Sequence, residues 1–131
     1  MLYAMKTYEE MRKHKQDFNV KYLLYPQDVG GRKITYQHLR CDFAYEGDDI
    51  QETGIYMIHP EFLDEFGVPI EEDIPVPLEG RASMWILVDE MREKIHKKQI
   101  KVGTKGYFME GARRVGEVVV DEVVGLYENG L

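Results

Sequence analysis

The residues of this chain that could do chemistry are few, and each set lacks a partner. His59-Pro60-Glu61 has the His-x-Glu spacing of a zinc deaminase site, but that chemistry needs a Pro-Cys-x-x-Cys pair to complete the metal shell. Cys41 is the single cysteine, so the shell stays incomplete and no metal is expected. Cys41 could instead be a thiolate nucleophile with His38 or His59 as base, giving a small Cys/His hydrolase. Its phase argues against this, because Cys41 alternates with Leu39 and Phe43 and reads as a small core residue. Carboxylates cluster at Asp48-Asp49 and Glu71-Glu72-Asp73. Both clusters fall in polar turn contexts, and the calcium-loop spacing is absent, so solvated charge is the simpler reading. No catalytic residue and no cofactor follow, and the chain reads as a non-enzyme.

Side chains suited to contact are better represented. Lys97, Lys98 and Lys101, beside Arg113 and Arg114, could form a phosphate-binding patch with Tyr107 as a stacking surface. Trp85 lies in SMWILVD, where Met84, Ile86 and Val88 facing inward would turn Trp85 outward. An exposed tryptophan would be a contact anchor, whereas a sheet buried on both faces would make it core.

The elements that position these residues follow from composition and pattern. At 131 residues and 44% hydrophobic, the chain suits one domain with its own core. The balance of 17 Lys+Arg against 24 Asp+Glu gives a net charge of −7, which disfavours nucleic acid without excluding a local basic patch. With one cysteine and no apolar run near the roughly 20 residues of a membrane span, a cytoplasmic protein without membrane contact is expected. Thr7 and Glu10 have capping-box spacing, so an amphipathic helix is expected over about 5–17, with residues 1–18 preceding a body over 19–131. From Val20 the period is two. Strands are expected at 20–25, 39–45, 55–58, 83–89, 105–110 and 114–124. Pro60 at a first helical position, with Phe62, Leu63, Phe66 and Gly67, predicts a short helical turn. The three prolines at 69, 75 and 77 predict a loop or edge, and 91–99 is read as a helical turn or long loop. Gly30-Gly31 and Glu110-Gly111 mark turns.

Taken in order, VKYLLYPQDVGGRKITY (20–36), LRCDFAY (39–45) and VGTKGYFMEGARRVGEVVVDEVV (102–124) resemble the C-terminal β-barrel domain of translation elongation factor Tu. The resemblance covers about 20–126. It implies a mainly all-β fold, an antiparallel barrel of about six strands with an N-terminal helix and short helical insertions. Gly30, Gly31, Gly111 and Gly116 would be its structural turn glycines. The chain departs from the family in having Arg40-Cys41-Asp42-Phe43 where Arg-Pro-Gln-Phe is usual, and in apparent insertions at 59–67 and 90–101. It has no G-x-x-x-x-G-K-[ST] loop, hence no nucleotide site and no GTPase. The expected function is a stand-alone binding module for protein–protein contact or self-association, using Trp85, Arg113, Arg114 and Arg32. The alternative is a tRNA- or ribosome-associated RNA-binding domain, in which Arg40, Lys98, Arg113 and Arg114 meet phosphate. An immunity-type inhibitor of a toxin is a further alternative.

Overall fold

The computed structural model describes residues 7–31, 33–37, 39 and 41–130. Six strands form one antiparallel sheet: β1 (Phe18–Leu24), β2 (Asp42–Tyr45), β3 (Ile58–Leu63), β4 (Glu79–Ile86), β5 (Lys105–Glu110) and β6 (Arg113–Val123), in the order β2-β5-β6-β1-β4-β3. The alternation in β1 explains why it is central: Phe18, Val20, Tyr22 and Leu24 enter the core while Lys21 and Leu23 face out. Its two flanks pair with β4 and β6, and a bulge between Asn19 and Val20 adjusts the β6 register.

The sheet curls into a half-barrel over a core that includes Phe18, Phe43, Phe62, Phe108 and Ile86. Each such side chain stabilises the fold by roughly 1.5–3 kcal/mol on burial. The two edges meet at one bridge, where the backbones of Phe43 and Tyr56 exchange N–H···O bonds of 2.8 Å. Gly106 permits this curl, since a Cβ there would lie 2.4 Å from the Phe43 ring. The turn glycines have distinct reasons. Gly30 and Gly111 hold positive φ, and a Cβ on Gly31 would fall 1.6 Å from the Tyr25 carbonyl oxygen. Gly116 sits in β6, where a Cβ would come within 2.9 Å of the Leu23 carbonyl oxygen.

Several expected elements are corrected. The N-terminal helix is only α1 (Tyr8–Arg12) among the described residues, and positions 5 and 6 of its expected span lie outside them. Thr7 caps it as its spacing predicts, accepting from Glu10 N at 3.2 Å. The chain must then extend so that Asp17 N can reach Met84 O. The expected strand at 55–58 begins only at Ile58, and the expected helical turn at 60–67 is β3 as far as Leu63, running through Pro60, followed by a turn closed by Gly67 N donating to Asp64 O at 3.0 Å. Proline is tolerated there because β3 is an edge strand and the missing N–H interrupts no ladder. The predicted 83–89 strand lies earlier, at Glu79–Ile86. A short helix α2 (Ile50–Thr53) follows the 46–49 turn, and 89–99 is one helical run, π-helical at Arg92–His96.

The open edge of β3 is covered by the 68–70 segment, which bridges Leu63 to Pro69, and by one side chain. The buried Gln37 amide accepts from Phe62 N at 2.7 Å and donates to Phe62 O at 2.7 Å and Ile70 O at 2.9 Å. It satisfies the strand edge as a neighbouring peptide would. Gln37→Leu is expected to destabilise by about 1–3 kcal/mol, because the buried Phe62 N–H loses its partner. Urea unfolding of the two proteins checks this, and equal midpoints would refute it.

Candidate partner-binding surface

The stretch Glu61–Gly80 holds seven carboxylates and no Lys, Arg or His, so the rest of the chain is balanced at 17 of each sign. The net charge of −7 is therefore local. The same stretch alternates apolar residues with prolines, and the fold divides those residues into anchors and exposed groups. Ile70 and Val76 are buried, whereas Phe66, Val68, Ile74 and Leu78 are exposed, Phe66 by 82%.

The backbone holds that division in place. Asp64 Oδ1 accepts from Phe66 N at 2.8 Å and Val68 N at 3.0 Å, and Gly67 takes φ +78. This tight turn projects Phe66 away from the body. Ile70 N then donates to Phe62 O, Val76 N to Thr35 O at 2.8 Å, and Leu24 N to Leu78 O at 2.7 Å. The Tyr22 hydroxyl donates to Pro77 O at 3.1 Å, and burial pushes that phenol up to about 12. The Val76–Thr35 bond fastens this loop to the 33–37 segment, whose Ile34 and Tyr36 are also exposed. Between Val68, Pro69, Ile74, Pro75 and Pro77 runs a shallow groove of about 420 Å³, flanked by Glu65 and Glu71.

The residues singled out from sequence lie elsewhere. Trp85 faces away from the core cluster, as alternation predicts, but it is only 2% exposed. Tyr8 stacks on it at 5.6 Å and His14 lies 5.7 Å away, while its Nε1–H donates to Ser83 Oγ at 3.1 Å. The N-terminal segment thus covers it, so it is not an exposed anchor. Beside it the Glu61 carboxylate accepts from Tyr8 N at 2.8 Å, and burial pushes its pKa up despite that bond. Arg114 stacks over the Tyr107 ring at 3.9 Å, and Arg113 pairs with Glu110 at 3.2 Å. Tyr25 donates to Glu117 at 2.9 Å and is raised to about 12, first by burial and then by that bond.

Lys98 is exposed in the last turn before β5, whereas Arg113 and Arg114 follow β5. The six-residue strand β5 lies between them along the chain. Arg32, Arg40 and His38 lie outside the described residues. Cys41 is buried in the core cluster, and His59 Nε2 approaches Asp42 Oδ1 at 3.5 Å. Among the described residues no group of three or more His, Cys, Asp or Glu could hold a metal ion, and no helix is long and apolar enough to cross a membrane.

A second polar cluster is internal. Asp17 and Arg92 are both 0% exposed, and Arg92 Nε donates to Asp17 Oδ1 at 2.8 Å. Asp17 also accepts from Ile86 N at 2.7 Å and Asn129 Nδ2 at 3.0 Å, while Arg92 donates to Ile86 O at 3.0 Å and to Asp89. The Arg92 hydrogen bond holds the Asp89 carboxyl below its usual range. One helical turn on, His96 meets the Tyr45 hydroxyl at 2.6 Å with Tyr56 packed edge-on at 4.9 Å. Burial lowers the His96 pKa to about 4 and raises that of Tyr45, so a protonated phenol meets a neutral imidazole. The charges of this cluster are matched inside the fold, which makes it a clamp. Sequence reasoning missed it because Asp17, Arg92 and His96 are embedded in charged, surface-like stretches. No family model matches the chain and no curated protein is significantly similar to it.

Proposed function

We propose that the protein is a non-enzymatic module for protein–protein contact in the cytoplasm, built on a barrel of the elongation-factor-Tu C-terminal kind. The single observation supporting contact is the braced exposure of Phe66, Val68, Ile74 and Leu78 beside Ile34 and Tyr36. A fold that buries Ile70 and Val76 from the same loop has selected which apolar groups stay outside. Exposed apolar groups concentrated in this way and rimmed by polar residues are characteristic of interaction sites. The contact surface moves accordingly from Trp85 and the arginines to the 33–37 and 64–78 loops. The fold assignment draws on the matching stretches at 20–45 and 102–124 together with the curled six-stranded sheet.

The test is a quantitative pull-down from the cytosol of the source cell, comparing the natural chain with Phe66→Ser/Val68→Ser/Ile74→Ser. All three replaced side chains are exposed, so thermal stability should stay within a few degrees. A protein retained by the natural chain should be recovered at least about tenfold less with the variant, as loss of interface anchors would give. Equal recovery would remove these loops from the contact.

A further inference from the structure

We infer that the partner presents a cationic segment carrying apolar anchor side chains, which lies in the groove between the 64–68 turn and the 74–78 loop. This rests on the reading of these loops as a protein-contact surface and adds the chemistry of what they hold. The groove supplies an apolar floor from Val68, Pro69, Ile74 and Pro77, in about 420 Å³. A second cavity of about 280 Å³ continues it past Pro77 toward Gly80 and Arg81, sharing Asp64 and Glu65. Together they suit alternate side chains of an extended segment better than one compact ligand.

Charge selects the occupant. Asp64, Glu65, Glu71 and Glu79 line the groove and its continuation, with Asp73 exposed in the same loop. Arg81, at the far end of the second cavity, is engaged by Asp121 at 3.0 Å. An acidic partner would meet like charge, which costs several kcal/mol across an interface. A second copy of this chain would bring the same carboxylates against these, so self-association through this face is disfavoured for the same reason. Lysines or arginines spaced between apolar residues would place their charges on the rim and their anchors on the floor. Because the rim is exposed to water, its charges should act mainly on association and partner choice, with a marked dependence on salt.

The experiment uses the full chain and three synthetic peptides of about twelve residues. They share the same spaced leucines and differ only in having lysine, glutamine or glutamate between them. Fluorescence anisotropy at about 50 mM and about 300 mM salt gives their affinities. The lysine peptide should bind at least about tenfold more tightly than the glutamine peptide at low salt, and the glutamate peptide least. That preference should shrink severalfold at high salt. Glu65→Gln/Glu71→Gln/Asp73→Asn should abolish the preference, whereas Glu46→Gln/Glu52→Gln/Glu128→Gln, which removes the same formal charge elsewhere, should retain it. Equal loss in both variants, or no preference for the lysine peptide, would overturn the inference. Leucine-dependent binding of all three peptides, lost in Val68→Ser/Ile74→Ser, would overturn the charge rule while leaving the contact surface in place. Failure of every peptide to bind, with pull-down unaffected by the Phe66, Val68 and Ile74 changes, would remove both.

Discussion

Arg92→Met is expected to destabilise the protein by about 3–5 kcal/mol, the largest single-residue effect proposed for this chain. The substitution removes the cation and leaves Asp17 as a charge at 0% exposure, still bonded to Ile86 N and Asn129. Two neutral donors offset only part of that carboxylate's lost hydration. The guanidinium also donates to Ile86 O at 3.0 Å, so the change leaves that carbonyl with only the longer 3.5 Å bond from Arg12. Adding Asp17→Asn to the variant should recover about 1 kcal/mol or more, since the buried charge then disappears and residues in one network couple by 0.5–3 kcal/mol. Urea unfolding of natural, single and double variants measures both quantities. A loss below about 1 kcal/mol for Arg92→Met would show that the pair contributes little.

Stability should also fall as the solution is acidified through the histidine range, and His96 should carry the fall. Its imidazole is buried among Tyr45 and Tyr56, with Asp17 and Arg92 nearby, and desolvation lowers its pKa from 6.5 to about 4. The Asp17 charge works in the opposite direction and is outweighed. Below about 6.5 the unfolded chain takes a proton that the folded chain refuses, so folding weakens until about pH 4, where the folded form accepts it too. The shift corresponds to roughly 3 kcal/mol lost across that window. Glu61 opposes this, because burial raises its folded pKa. Its penalty begins as pH rises above the ordinary glutamate value of 4.5, so it steepens nothing on the acid side. Unfolding midpoints at pH 7, 5.5 and 4.5 should therefore decline for the natural chain and decline far less for His96→Phe. Parallel curves would assign the acid loss to another group.

Much of the sheet was legible because half-buried strands advertise themselves. Residues 20–24 of β1 and 115–120 of β6 follow a near-alternating burial pattern, and Glu110-Gly111 marks a turn at φ +58, whereas Phe43, Ala44 and Tyr45 of β2 are all buried. Pro60 misled for a physical reason. A proline suits the first turn of a helix and an edge strand equally well, and the sequence does not say which strand is an edge. The 89–99 helix hid its inward face. Its Glu90–Lys94 and Glu93–Lys97 pairs lie at i,i+4, as on any solvated helix, and Arg92 and His96 share that same spacing. Only the position of Asp17 against the helix makes one set buried and the other exposed. The acidity of residues 61–80 was visible in the sequence. What was not visible is the bracing by Asp64, Thr35 and Tyr22 that keeps four apolar side chains outside.

The place of β1 in the sheet has a consequence for the order in which the fold can be made. Translation delivers this strand early, yet its two neighbours are Glu79–Ile86 and Arg113–Val123. Until both have emerged, its apolar residues and two unpaired backbone edges have nothing to close on, and Asp17 must wait for Arg92 and Asn129. Contacts spanning about 100 residues, such as Phe18 with Val123, delay productive closure and favour slow, late folding. The nascent chain is therefore exposed to aggregation throughout that interval, which ends only when β6 takes its place beside β1.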